Sequence, residues 1–346
     1  MTEYSIEVFD PPKVADEEVW DNLYKFYLAF FNDMYPNDPV TPKARLIKSL
    51  KDPHPHYHIN YWLIFTLDKT IIGWANSYIS KKTNPAYDTN KHIAECNTII
   101  LKEHRRNGLG TKLLQNHVNL AKKHNRTLIQ SGTTEESGHN FLKKFGGKEA
   151  IQGSENRLQM KEVEWSLMKQ WIDDGPKRAK GVTLERFVDV SESDIEEYCI
   201  IYTETMNQQP FGELEGRARQ TPESRRLSEE RIRKREGKWT TLISREKDGP
   251  ISGLTEIIFF PDKPTMLYQD LTGVKEEYRG RGLGKWLKAS MLYWISSEYP
   301  EVKTIITGNA TENAPMLSIN ERMGFKEYKS GTEYKVQVEE LEKLLA

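Results

Sequence analysis

Apolar and polar residues alternate along this chain at two spacings, and the spacings change over in one order, twice. Tyr4–Phe9 alternates as a strand. Asp16–Tyr35 carries acids in its first turn and apolar residues at helical spacing, which predicts a helix. A shorter, lysine-rich helix follows Val40. Trp62–Leu67 and Thr70–Ile79 are β-rich runs parted by Asp68-Lys69, a hairpin turn. Polar Lys81–Lys91 reads as a loop and Ile93–Leu101 as a strand. Gly110–His124 reads as a helix, Thr127–Gln130 as a short buried strand, Gly138–Phe145 as a helix, Arg157–Val163 as a strand and Glu164–Trp171 as a helix.

The order then repeats. Val182–Val188 is a strand, and Ser193–Met206 a helix with Ser193 as its candidate cap. Pro222–Arg235 is a second helix. The strands Trp239–Arg245 and Ile251–Phe260 flank the turn Lys247–Pro250. Thr265–Val274 is a strand, Gly284–Ser297 a helix, Val302–Thr307 a strand, Pro315–Met323 a helix and Glu333–Val338 a last strand. Ile72-Gly73 answers to Ser252-Gly253, and Gly146–Glu149 to Gly324–Glu327, at displacements that drift by only a few residues. A period this long means duplicated domains, not a solenoid. Between the copies, Asp173–Gly181 combines charge, glycine and proline as a linker does. The expected division is 1–172, linker 173–181, and 182–346.

Composition narrows the class. At 346 residues, the chain is long enough for two cores, and 37% hydrophobic content is adequate for both. The net charge of −1 gives no basis for nucleic-acid binding. The basic run Arg225–Lys238 alternates with glutamates and reads as a solvated helix face. The two cysteines, Cys96 and Cys199, have no metal-type spacing, which fits a reducing cytoplasm and predicts no disulfide framework and no metal. No apolar run is long enough to span a membrane, and the first ten residues lack a signal peptide's regions. A cytoplasmic monomer or homodimer is expected.

The candidate chemistry lies where strand turns into helix. Leu271–Ala289 and its echo Asn97–Leu114 share R-x-x-G-x-G: Arg279, Gly282, Gly284 and Arg105, Gly108, Gly110, all at one displacement. Glycines let a backbone turn tightly against a ligand, and a helix N-terminus presents unpaired amides to an anion. This is a duplicated phosphate-gripping turn.

The motif, the element order and the segment Thr307–Phe325, with Asn309, Asn313, Met316, Asn320, Gly324 and Phe325 behind Gln269 and Thr272, resemble the GNAT superfamily of N-acetyltransferases. Within it they resemble the tandem group that includes mycothiol synthase. The resemblance implies an α/β (α+β) fold of two tandem domains, each a mixed, mostly antiparallel twisted sheet flanked by helices. It also implies acetyl-CoA as cofactor and transfer of its acetyl group to a primary amine.

By that resemblance, Thr272, Gly273 and Val274 would hold the pantetheine arm. Arg279, Gly280, Arg281, Gly282, Leu283, Gly284 and Lys285 would hold the pyrophosphate, with Asn309 and Asn313 positioning cofactor or substrate or capping the helix near Pro315. The amine must lose a proton, and Glu256, three residues after Gly253 on a central strand, is the leading base. Asp270 is the second, although strict alternation turns it away from the face of Gln269 and Leu271. Asn320 stands where many relatives carry a tyrosine acid; Tyr268, Tyr293 and Tyr328 are the candidate substitutes.

The acceptor, a small molecule or a peptide, is expected near Glu197, Tyr198, Tyr202, Glu204 and Asn207. In the first copy Asn76 replaces Glu256, Glu135 replaces Asn313 and Leu142 replaces Asn320. That copy is expected to be degenerate, with Ile100, Arg105, Arg106, Asn107, Gly108, Leu109, Gly110 and Thr111 as a second CoA site and Glu95 its remaining carboxylate. A non-catalytic CoA sensor or scaffold, and acetylation of a cysteinyl amine, are the alternatives.

Overall fold

The computed structural model describes residues 4–247 and 249–346, so Asp248 of the expected Lys247–Pro250 turn lies outside it. The chain opens with β1 (Tyr4–Phe9), α1 (Glu17–Met34), α2 (Lys43–Lys51), β2 (Tyr57–Thr66), β3 (Ile71–Ser80), a single helical turn α3 (Tyr87–Asn90) and β4 (Ile93–Ile100). It continues with α4 (Leu109–Lys123), β5 (Leu128–Thr133), α5 (Glu136–Lys144), β6 (Lys148–Gln159) and α6 (Trp165–Arg178). Then come β7 (Thr183–Val188), α7 (Ile195–Asn207), α8 (Pro222–Lys234), β8 (Lys238–Arg245), β9 (Ile251–Phe259) and β10 (Met266–Val274). The chain closes with α9 (Leu283–Glu298), β11 (Thr304–Ala310), α10 (Ala314–Met323), β12 (Lys326–Gln337) and α11 (Val338–Leu345).

Two compact units form, divided otherwise than at a linker. The first takes the chain up to Ala150 together with Glu213–Gly216 and Thr332–Ala346; the second takes Ile151–Gly212 and Arg217–Gly331. The first unit's strands run in the order β1-β2-β3-β4-β5-β12. Neighbours are antiparallel except β4 and β5. Alternation along β2 sends Trp62 and Ile64 to the α4 side, with Leu113, Val118 and Ala121. It sends Tyr61, Leu63 and Phe65 to the α1 side, with Trp20, Leu23 and Phe26. Asp16 caps α1 by accepting from the Glu18 amide.

The second unit repeats the plan in the order β6-β11-β10-β9-β8-β7, with only β10 and β11 parallel. On one face α9 buries Leu287, Met291, Leu292 and Ile295 against Leu242, Ile257, Leu267 and Ile305. On the other, α7 buries Tyr198 and Ile201 against Ile243, Leu254 and Leu271. Both faces of a central strand are therefore covered, which is why β9 is buried from Ile251 to Ile257, its polar Ser252, Thr255 and Glu256 included.

The difference from the expected division has a cause in the last strands. β6 belongs to the first copy by sequence, but its second half pairs with β11 and buries Leu158 beside Met323 and Phe325. The end of β12 pairs with β5, and its Val336 packs with Ile129 and Phe145. Each copy lends its last strand to the other's sheet. The expected linker is likewise structural. Residues 173–178 continue α6, which lies on α9 because Gly175 leaves room for Trp286; a Cβ there would stand 2.3 Å from the indole. Ser193 does not cap α7, whose N-cap is Asp194 without a side-chain bond, while the C-terminal α11 carries no glycine or capping signal at its start. Among the described residues, no helix is long and apolar enough to cross a membrane, and no group of His, Cys, Asp and Glu is placed to hold a metal.

Candidate functional site

In the second unit, β10 and β11 run side by side only from Met266 to Tyr268 and from Thr304 to Ile306. Beyond that β10 continues to Val274 and β11 to Ala310 without pairing, so one edge of β10 lies open along a wedge. At the end of that edge stands the glycine turn. Gly280 and Gly282 have φ of 78° and 82°, the left-handed region where a Cβ is costly, and Gly282 is the N-cap of α9. A Cβ at Gly280 would meet nothing within 4 Å, so the turn is open above its amides.

The charges around the turn are only partly free. Arg279 donates from Nε to the Val274 carbonyl at 3.2 Å and from Nη2 to Gln208. Arg281 pairs with Glu246 at 2.9 Å. Two cations missed by sequence reasoning stand here as well. Arg178 of α6 reaches over Gly282 and donates to the Gly280 carbonyl at 3.1 Å. Arg322 of α10 lies 4.9 Å from the Trp171 ring, with the Lys285 amine 5.8 Å from the same ring. Partial burial, with Arg322 and Arg178 nearby, lowers the Lys285 pKa. Like charges gathered around one helix N-terminus favour an anion. Arg178 lay in the supposed linker and Arg322 in a helix end, so no local pattern marked either.

The register of β9 on β10 breaks once. Thr255 faces Thr272 and Ile257 faces Gln269, so Glu256 alone stands opposite both Asp270 and Leu271. This is a β-bulge, and it undoes strict alternation. Leu271 enters the core cluster of Tyr198 and Ile201, and the charge of Asp270 acts on Tyr202, both on the α7 side. Asp270 is open to solvent at residue level. Yet crowding by surrounding protein pushes its carboxyl up to about 7, with Glu256 adding to the rise and Arg225 opposing it.

Glu256, the leading base by sequence, is fully buried. Its Oε1 accepts from Tyr198 at 2.7 Å and Thr241 at 2.6 Å, and it faces Arg225 Nη1 at 3.2 Å. Its Oε2 is buried with no partner. Arg225 is also fully buried, with Nε on Glu229 at 2.8 Å and its guanidinium 3.7 Å from the Trp239 ring. The solvated-face reading therefore fails at Arg225 and Glu229, because a buried Arg–Glu pair one helical turn apart has the same spacing as an exposed one.

Of the acceptor candidates, Tyr202 lies against this cluster and Tyr198 is sealed inside it. Glu197 accepts from the Ile251 amide at 2.8 Å, Glu204 from Gln208, and Asn207 clasps Ala218 through both of its amide atoms. Glu197 and Asn207 thus hold a strand end and a loop, and Glu204 the end of α7. Asn313 caps α10 through the Met316 amide. Asn320 is buried and donates to Asn309 at 2.8 Å, leaving its Oδ1 unpartnered. Of the tyrosines considered as acids, Tyr293 donates to the Trp165 carbonyl and Tyr328 lies under Arg157. Tyr268 packs against Phe260.

The first unit has the parting strands and the turn, but not the bulge. β3 pairs with β4 without a register break from Gly73–Ile100 to Ile79–Ala94. Cys96, at the displacement of Asp270, is buried, and burial pushes its thiol up to about 12. Asn76 is buried and accepts from Trp74. Glu95 is open at residue level, with its pKa raised by crowding and by Glu333. In the turn, Arg106 takes the left-handed conformation that Gly280 has in the second unit. Arg105 donates to the Ile100 carbonyl at 2.8 Å, to Ser137 at 2.9 Å and to Glu135 at 2.9 Å, tying the end of β4 to the start of α5.

Residues 20–146, within the first copy, match the model of the acetyltransferase (GNAT) family. No curated protein matches the sequence. Among solved structures, the fold is similar to a tandem GNAT protein from the clavulanic acid biosynthesis pathway. That protein is 19% identical, with a TM-score of 0.75 over 97% of this chain and 99% of that one. It is also similar to a GCN5-related N-acetyltransferase from Sphaerobacter thermophilus, 15% identical, with a TM-score of 0.66 over 97% and 96% of the two chains.

Proposed function

We propose that this chain, an acyltransferase with the tandem GNAT fold, moves an acetyl group from acetyl-CoA to a primary amine, and that the second unit does the work. The bulge in β10 carries this reading. It turns a carboxylate toward α7 on the strand that borders the wedge and leads into an open glycine turn. The first unit shares the wedge and the turn but has a buried thiol where that carboxylate stands.

The residues present fit the cofactor. The open edge of β10 through Thr272–Val274 suits the amides of a pantetheine arm. The amides of Gly280–Lys285, with Arg178 and Lys285, suit a diphosphate. Acetyl-CoA supplies the acetyl thioester; the rest falls to this chain. Asp270 takes a proton from the acceptor's ammonium group and frees its lone pair for attack. A base whose pKa lies near neutrality combines a usable ionised fraction with real proton affinity. Tyr202, whose pKa is raised by burial and by Asp270, keeps its proton and is the proposed donor for the departing sulfur. The negative pair Asp270 and Glu256 favours a cationic acceptor.

Thiol release from acetyl-CoA across amines, polyamines, amino acids and basic peptides tests the reading. Release that requires an amine and is lost in Asp270→Asn supports it. Tight CoA binding without thiol release under any condition would leave a sensor or scaffold instead.

A further inference from the structure

We propose that Glu256 is a positioning residue: a buried carboxyl, held by Tyr198, Thr241 and Arg225, that stands across the bulge from Asp270 and acts on the reaction through that residue. The proposal rests on Asp270 being the base, and it reassigns Glu256 from proton acceptor to the group that tunes one.

Glu256 is badly placed to exchange protons with a substrate. It is fully buried, and one oxygen already receives Tyr198 and Thr241 and faces Arg225. The surrounding groups hold its carboxyl in place. Arg225 comes from α8, Tyr198 from α7 and Thr241 from β8, so three elements converge on a single oxygen. Arg225 is fixed in turn by Glu229, which also accepts from the Val190 amide at 2.9 Å and pairs with Arg226 at 2.6 Å. Arg226 pairs in turn with Glu192 at 2.6 Å, so the network joins two arginines and three glutamates.

The bulge places Glu256 opposite Asp270, with Arg225 reaching Glu256 from the α8 side. The groups acting on Asp270 are Glu256 of β9 and Arg225 of α8, with the Leu271 amide as a hydrogen-bond donor; Tyr202 of α7 lies within its field. Burial acts most on Asp270, and the raising effect of Glu256 exceeds the opposing one of Arg225. Among the described residues the buried Oε2 has no donor, a state that costs free energy.

The test follows Asp270 directly. Carboxyl carbon NMR on aspartate-labelled protein, with the resonance assigned by its loss in Asp270→Asn, gives the titration midpoint without turnover. The pH dependence of kcat/KM is measured in parallel. Wild type is expected to titrate near 7. Glu256→Gln keeps an acceptor for Tyr198 and Thr241 but removes the charge, and should lower the midpoint by about one unit or more. The acid limb of the kcat/KM profile should move with it. Glu256→Asp keeps the charge and should keep most of the elevation. This variant also serves if the Gln variant does not fold, since a midpoint in Glu256→Asp more than about one unit below wild type would contradict a charge effect. An unmoved midpoint in folded Glu256→Gln overturns the proposal whether or not the protein turns over. Absence of thiol release with the expected midpoint shift overturns the proposed function and leaves the coupling standing.

Discussion

Two buried or crowded titratable groups in the second unit make opposite demands. Asp270 is expected to govern the reaction: Asp270→Asn should lower kcat by about a hundredfold or more while changing CoA affinity little. With its pKa raised to about 7, kcat/KM should rise with pH up to that value and then level off. A profile flat from pH 5 to 9 would remove Asp270 from the proton path. Lys288, at the displacement of Leu114, is buried on α9 with its amine 5.2 Å from the Phe325 ring. Burial lowers its pKa from 10.5 to about 7. The unfolded chain therefore takes up a proton that the fold refuses between those values, so stability falls as pH drops through this window and flattens below about 7. Lys288→Leu should remove that slope and stabilise the protein at pH 7 by a few kcal/mol, on the order implied by such a shift. Denaturant midpoints across pH 6–10 check both the sign and the window. Neither residue's role was legible in its own sequence neighbourhood. Asp270 was noticed and set opposite both Gln269 and Leu271; the bulge brings Leu271 to its side, because alternation assumes an unbroken ladder.

Among the elements, the two glycine turns were legible from three fixed residues and a helix pattern, since left-handed φ and helix starts are local properties. Gly282→Ala places a Cβ in the left-handed region and 3.4 Å from the Arg178 guanidinium. It should weaken CoA binding by about tenfold, from roughly 1–2 kcal/mol of backbone cost, with calorimetry as the measure. Arg106 holds the corresponding strained conformation in the first unit. Arg106→Gly should therefore stabilise that unit, by up to about 1 kcal/mol after glycine's own entropy is counted. A loss of stability there would contradict the φ assignment. The β-bulge left no such local mark. It is a mismatch between two strands, and only their pairing displays it.

For the whole molecule, the exchanged last strands make each copy incomplete by itself. Removing Thr332–Ala346 takes from the first unit the strand beside β5 and the helix carrying Val338 and Leu341. That truncation should abolish cooperative unfolding of the first unit, visible as lost amide protection across β5 and α4. A fragment ending at residue 172 should likewise not fold, although it contains the whole first copy by sequence. Full protection in either fragment would show that the exchange is dispensable.

The sequence by itself determined the duplicated order of elements, the two glycine turns with their helices, and the mixed, mostly antiparallel architecture. These follow from backbone preference and from which face of a helix or strand is apolar, and both are written within a few residues. Tertiary structure alone decided which sheet receives β6 and β12, that the supposed linker is a packed helix, and that Arg225 is buried. It also decided that a bulge brings Asp270 and Glu256 together in one unit only. Each of these depends on which distant segment a residue meets, and a strand or an Arg–Glu pair has the same local pattern whichever partner it finds.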